Sequence, residues 1–245
     1  MSIVATVLTT YRPDLLARTI ESSKKELLQC DHVIVLHNGG DDPTSRVLDA
    51  CGIDHDRIVH TSTLPGCIPN GPATSICAAA AHKSGCDYWL HLEEDWVQLP
   101  ELVAALPDWF LVAQEIASNP AIGQVRLREE SHLGQLVHTP DGLQGDGSGS
   151  ANTNWIDYRP VAWTVVDHAP FMVGPAHFTF NPFIMRTSLI GDGVATKPGI
   201  SIASVFPAET ERHAMARFYA QNLLVAQMRP GIYHHIGDNR RVGQH

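Results

Sequence analysis

The sequence predicts an α/β fold on a mostly parallel sheet, and three observations predict it. Runs that read as strands buried on both faces recur at residues 2–8, at 32–37 and from Tyr88 onward. The first two give way to polar or glycine-containing turns, and the stretches between them place apolar residues at helical spacing. Such alternation makes a parallel sheet whose ligands bind at the carboxyl ends of its strands.

In chain order, the first strand ends in Thr9, Thr10, Tyr11 and Arg12. Pro13 stands where a helix starts, and residues 14–28 repeat Leu15, Leu16, Thr19, Ile20, Ser23 and Leu27 along one face. The second strand runs into Asn38, Gly39 and Gly40. A short helix at 44–51, a third strand at 57–61, a loop at 65–70 and a helix of small residues at 73–83 lead to the strand that opens at Tyr88. Beyond Trp96, residues 101–118 predict a helix interrupted near Pro107, and 123–127 a strand. Residues 139–154 contain one core-forming side chain, Leu143, and predict a long surface loop, either a lid or irregular chain. Strands are expected at 155–166 and 177–185, and a helix at 211–227.

Composition narrows the function. The 245 residues suffice for one large α/β domain or two small ones, and 44% of them are hydrophobic, ample for a core. Asp and Glu number 26 against 17 Lys and Arg, a formal charge of −9 that disfavours a broad nucleic-acid-binding face. A narrow basic channel from Arg126, Arg128, Arg159 and Arg186 remains compatible with it. Cysteines at 30, 51, 67, 77 and 86 show no CxxC spacing and read as reduced thiols, so a cytoplasmic location is expected. No apolar run approaches the ~20 residues of a membrane span, and the first residues enter a strand instead of a secretory leader.

The stretch 88–96 carries the chemistry. It begins as a buried strand and ends in Glu93, Glu94 and Asp95, three adjacent carboxylates that repulsion and desolvation would penalise without a counter-charge. A hard divalent cation, Mn²⁺ or Mg²⁺, takes such oxygen ligands together with substrate phosphates. In a parallel sheet the other strand ends converge on the same rim. There Thr9, Thr10, Tyr11 and Arg12 offer hydroxyls, an aromatic face and a guanidinium for a nucleotide, with ordinary loop surface as the alternative for Tyr11 and Arg12. Asn38 is either a further contact or part of a tight turn.

A first strand ending in Thr9-Thr10-Tyr11-Arg12-Pro13, a second ending in His37-Asn38-Gly39-Gly40 and an aromatic, apolar strand ending in Glu93-Glu94-Asp95 resemble the nucleotide-sugar half of a GT-A fold glycosyltransferase, above all the inverting family 2 enzymes. The resemblance implies a Rossmann-like, mostly parallel sheet flanked by helices, with a C-terminal acceptor-side region. Residues 1–127 would form the nucleotide-sugar-binding half and 128–245 the acceptor-binding and catalytic-base half of a single domain. Asp95 matches the metal-binding last acid of that family's Asp-X-Asp motif, Glu93 replaces the first Asp and Glu94 is the middle residue. Residues 178–186 look like the acceptor-side strand. The tail His234-His235-Ile236-Gly237 is similar to members in which a late histidine completes the metal site, which makes His235 the second ligand, with the turn at Gly237 returning the tail to the rim.

The implied reaction is transfer of a sugar from a nucleoside-diphosphate sugar, a UDP-sugar first of all, to an acceptor hydroxyl with inversion. The acceptor stays open among a glycan, a protein, a small molecule and a modified nucleic-acid base. A cation on Asp95 and His235 would neutralise the leaving diphosphate. Glu211 is the first candidate for the base, because Met215 four residues on and Phe218 three beyond that place it on a buried helical stripe. Glu209 is the second, and for both acids the alternative is a favourable charge at a helix N-terminus. Trp96, Trp155 and Trp163 offer either sugar-stacking faces or core packing, and residues 238–241 either phosphate contacts or a polar tail. A nucleotidyltransferase would carry a Gly-rich basic loop after the first strand and a dehydrogenase a GxGxxG, and neither is present. A non-catalytic module that binds nucleotide sugars or glycans is the alternative from another class.

Overall fold

The structure, a computed structural model, describes residues 1–10, 12–39, 45–60, 68–128, 136–139, 142–145, 164–165, 171–174, 179–191, 206, 208, 214, 217–218, 220–228 and 231–237. The N-terminal half alternates as expected through β1 (Ile3–Thr9), α1 (Pro13–Leu27), β2 (His32–Asn38), α2 (Ser45–Cys51), β3 (Asp56–His60), α3 (Asn70–Lys83) and β4 (Tyr88–Glu93). There follow β5 (Trp96–Gln98), α4 (Pro100–Ala105), α5 (Trp109–Ser118), β6 (Ile122–Arg126), β7 (Leu136–Thr139), β8 (Gly142–Gly145), β9 (Thr164–Val165), β10 (Phe171–Gly174), β11 (Phe183–Arg186), a 3-10 turn at Thr187–Leu189, β12 (Leu224–Met228) and β13 (Tyr233–His235).

One sheet of nine strands, ordered β3-β2-β1-β4-β11-β6-β12-β10-β9, carries the chain. β3, β2, β1 and β4 pair in parallel, β11 runs antiparallel between β4 and β6, and β12 returns parallel to β6. Because β11 is inserted between β4 and β6, the sheet continues from residues 1–127 into the later part of the chain. Alternate residues of β1 divide between two cores: Ile3, Ala5 and Val7 face one cluster, Val4 and Leu8 the other. Both faces of the sheet are therefore covered, which is why its strands read as unbroken apolar runs.

The helix boundaries have local causes. Pro13 lies in the first turn of α1 with Asp14, and Lys24 and Lys25 lie in its last turn, as the peptide dipole favours. Its buried face combines Leu16, Ile20 and Leu27 with the polar Thr19, Ser23 and Glu26, whose partners are on the site described below. Pro107 separates α4 from α5, since proline in a helix interior removes a hydrogen bond and clashes with the preceding turn.

Several expectations change. The helix expected over 211–227 ends earlier: Ala214, Arg217, Phe218 and Ala220 are helical, Asn222 has φ 54°, and residues 224–228 form β12. Leu224, Val225, Ala226 and Met228 are compatible with both periods, and pairing with β6 and β10 decides for strand. Within the stretch read as a loop at 139–154, residues 142–145 pair with 136–139, and the rest lies outside the described residues. Of the strand expected at 177–185, residues 179–182 form an irregular turn and the strand begins at Phe183. Arg186 is not part of a basic channel at the rim. It pairs with Tyr88 at the opposite end of β4, and its guanidinium donates to the carbonyls of Ala117, Asn119 and Pro120 at 2.7, 2.5 and 3.1 Å, closing the C-terminal end of α5. Arg126 is buried within β6, and Arg159 lies outside the described residues.

Gly123 in β6 meets the ring of Phe218, and a Cβ there would stand 2.2 Å from Phe218 Cε1. Gly123→Ala is expected to lower unfolding free energy by roughly 1–3 kcal/mol through overpacking; an unchanged denaturant midpoint would contradict this close approach.

Candidate active site

The loop after β1 is organised by Glu94. Thr9 Oγ1 and the Thr10 amide donate to Glu94 Oε2 at 2.5 and 2.6 Å, while the Thr10 hydroxyl and Arg12 Nε donate to Oε1, the latter at 2.6 Å. A carboxylate offers about four acceptor positions, and here four donors fill them. The Glu94 amide donates to the Leu8 carbonyl and Thr19 Oγ1 donates to the Glu94 carbonyl, at 3.0 and 2.6 Å. At 1% exposure, Glu94 is thus the internal fastener of the strand end, turned to the protein instead of the open rim.

Its neighbours face other ways. Glu93, half-buried, accepts from Asn70 Nδ2 at 2.6 Å on Oε1 and from Trp96 Nε1 at 3.3 Å on Oε2. Asn70 opens α3 and accepts from Thr74 Oγ1 at 2.9 Å. This residue was not singled out from sequence; its signal was an Asn in the Gly- and Pro-containing approach to a helix. Asn38, at the end of β2, has both ends of its amide taken by Ile68: Nδ2 donates to the Ile68 carbonyl and the Ile68 amide donates to Oδ1, each at 2.9 Å. It ties the strand end to the approach of α3. Trp96 is buried in the core, its ring packed against His235 with centroids 5.0 Å apart.

Asp95 meets a guanidinium and an imidazole on one oxygen. Arg12 Nη2 lies 3.0 Å and His235 Nε2 3.3 Å from Asp95 Oδ2. Burial pushes the Asp95 carboxyl up, but the His235 hydrogen bond and the Arg12 charge outweigh it and hold the group below the ordinary carboxylate range. The His235 imidazole is raised, first by that hydrogen bond. For Arg12, burial works downward and the charges of Glu94 and Asp95 more than reverse it.

His235 reaches Asp95 although 140 residues separate them. β13 pairs antiparallel with β5, placing His235 opposite Trp96, and the Ile236 amide donates to the Asp95 carbonyl at 2.8 Å. Behind this ribbon, Gln98 Nε2 donates to Glu26 Oε2 at 2.8 Å and to Tyr233 Oη at 3.0 Å, and Tyr233 Oη donates to Ser23 Oγ at 3.1 Å. Burial pushes the Tyr233 phenol above its usual range, so it stays a neutral donor. The polar stripe of α1 therefore holds β5, which follows directly on Asp95, and β13, which contains His235.

The pair suits a divalent cation. Two ligands at about 2.1 Å in adjacent octahedral positions stand about 3 Å apart, close to the observed separation. The space beside them is kept by Gly237, where a Cβ would fall 2.5 Å from Asp95 Oδ2 and 2.9 Å from His235 Nε2. Among the described residues no third His, Cys, Asp or Glu completes a cage, so the remaining positions would fall to water or ligand oxygens. Tyr11, Glu209, Glu211, Trp155, Trp163 and residues 238–241 lie outside the described residues.

Comparison with solved structures identifies the architecture. Glucosyl-3-phosphoglycerate synthase from Mycobacterium tuberculosis, in complex with Mn²⁺, UDP and glucosyl-3-phosphoglycerate, is similar with a TM-score of 0.52 and 15% identity over 97% of this chain and 72% of that one. Its complex with Mn²⁺ and UDP-glucose gives 0.52 and 16% over 98% and 72%, and that with Mg²⁺ and UDP gives 0.51 and 15% over 97% and 72%. No family model and no curated protein matches the sequence. The chain has the GT-A fold that its strand ends resemble. Among the described residues no helix is long and apolar enough to cross a membrane.

Two substitutions separate the fastener from the open pair. Glu94→Gln puts an amide donor against two of the four existing donors and is expected to cost on the order of 3 kcal/mol, read as a lower denaturant midpoint at constant slope. Gly237→Ala is expected to leave the far-UV spectrum unchanged but to weaken Mn²⁺ binding by roughly tenfold or more; unchanged Mn²⁺ titration would place the cation elsewhere.

Proposed function

We propose that this protein is a metal-dependent glycosyltransferase that moves a sugar from a nucleoside-diphosphate sugar, a UDP-sugar first, to an acceptor hydroxyl. The observation that carries the reading is the meeting of Asp95 and His235 beside Gly237 at the carboxyl end of a GT-A sheet. Solved structures of the same fold hold Mn²⁺ or Mg²⁺ together with UDP or UDP-glucose.

In this reading Asp95 and His235 hold Mn²⁺ or Mg²⁺, which when bound offsets negative charge on the departing diphosphate. The protein supplies the rest. Glu94 fixes the loop after β1, so that Thr9 and Thr10 keep one arrangement against the strand end. Glu93, held by Asn70 and Trp96, is half-buried at the same rim and is our choice for a ribose contact. Residues 1–127 would then serve the nucleotide sugar and the later half the acceptor.

For the proton of the acceptor hydroxyl we retain Glu211, then Glu209, as base, with inversion at the sugar carbon. Ala208, the described neighbour of Glu209, is tied to α3. Its amide donates to Ser75 Oγ at 3.0 Å, and Ser75 Oγ donates to the Ala208 carbonyl at 2.8 Å, against the early turns of α3. The location we propose is the cytoplasm, in keeping with free thiols at Cys30, Cys51, Cys77 and Cys86.

The deciding measurement is binding and slow hydrolysis of UDP-, GDP- and TDP-sugars with Mn²⁺, Mg²⁺ or EDTA. One donor is expected to bind only with metal, and Asp95→Ala to weaken that binding by roughly 100-fold. Absence of nucleotide-sugar binding under every metal condition would remove the reading.

A further inference from the structure

Asp95 is 9% exposed as a residue, and a carboxylate so buried needs a cation beside it. Arg12 meets that need, with Nη2 3.0 Å from the same Oδ2 that faces His235. The oxygen that would ligate a cation is therefore already engaged by a guanidinium. Arg12 is held at its other edge, where Nε donates to Glu94 Oε1 at 2.6 Å, yet its side chain is 42% exposed. Glu94 does not depend on it alone, because Thr9 Oγ1, the Thr10 amide and the Thr10 hydroxyl remain as donors when Arg12 leaves. Asp95, by contrast, loses a cation that something must replace.

We propose that Arg12 is an internal stand-in for the divalent cation, an exchangeable positioning residue that occupies Asp95 until a nucleoside diphosphate draws it away. The inference rests on the donor and metal reading given above. A guanidinium fork matches the paired oxygens of a diphosphate as well as it matches a carboxylate. Arg12 also stands immediately before α1, whose first-turn amides favour a negative group nearby. A diphosphate arriving at this rim offers Arg12 a new partner and, in the same event, releases Asp95 Oδ2 to the cation. Metal and nucleotide then assist each other beyond their direct contact, and the coupling is reciprocal. Without the nucleotide, Arg12 competes with the cation and keeps bare metal affinity low.

The test is a Mn²⁺ titration followed by the electron paramagnetic resonance of the free ion, with and without UDP, on the full chain and on Arg12→Gln. The variant is expected to bind Mn²⁺ alone more tightly, by about tenfold, and to show a correspondingly smaller gain in Mn²⁺ affinity on adding UDP. Arg12→Lys is titrated beside it in case the neutral variant does not fold. Its single ammonium replaces the two-point hold on Glu94 and Asp95, and a smaller tightening of bare Mn²⁺ is expected. Unchanged or weaker Mn²⁺ binding in the folded variants, with wild type still binding Mn²⁺ in the presence of UDP, overturns the exchange and leaves the metal site standing. If wild type and variants all fail to bind Mn²⁺ with and without UDP, both the exchange and the metal reading fall.

Discussion

The buried carboxylate of Glu94 is the constraint on which the rest of the site depends. A charged group with 1% exposure is tolerated only when its acceptor positions are filled, and the loop after β1 fills them with two hydroxyls, an amide and a guanidinium. Satisfying Glu94 therefore fixes the conformation of its neighbours. It also turns the chain so that the next residue, Asp95, emerges toward the tail strand while Glu93 turns toward α3. Three adjacent acids, which would repel one another on a common face, are turned to different partners, with Arg12 alone shared between Glu94 and Asp95.

A second constraint acts at long range. The buried side of α1 is unusually polar, with Thr19, Ser23 and Glu26 interleaved among Leu16, Ile20 and Leu27. Each polar group has a task across the interface: Thr19 on the Glu94 carbonyl, Ser23 on Tyr233, Glu26 on Gln98. Such networks specify one arrangement because a shifted neighbour would leave a buried donor or acceptor unmet. The helix thus reads the positions of β5 and β13 and, through them, the spacing of Asp95 and His235.

Much of the N-terminal half was legible in the sequence, because buried parallel strands and amphipathic helices leave strong periodic signals in Val, Ile and Leu. The meeting of Asp95 with His235 came only from likeness to a family, since a pair 140 residues apart leaves no periodic trace. β5 and β13 went unnoticed for a related reason: each has three residues, too few for alternation to show. The role of Glu94 was also hidden. Three consecutive acids look alike in sequence, and only the donors around each one distinguish an internal fastener from a group facing the rim. The helix expected over 211–227 gave way at 224–227, where a short apolar run satisfies both periods and pairing with β6 decides.

The antiparallel contact of β5 with β13 has a consequence for how this chain tolerates change. It acts as a clasp whose two halves leave and return at neighbouring points, while the long excursion between them supplies β6, β9, β10, β11 and β12 to the shared sheet. Closing a flexible loop costs only about 0.6 kcal/mol more for each doubling of its length. Segments of the excursion that lie away from the shared sheet can therefore lengthen, shorten or be exchanged while the clasp keeps the two ends in register. The register of Asp95 against His235 is thereby set apart from the length of chain that joins them.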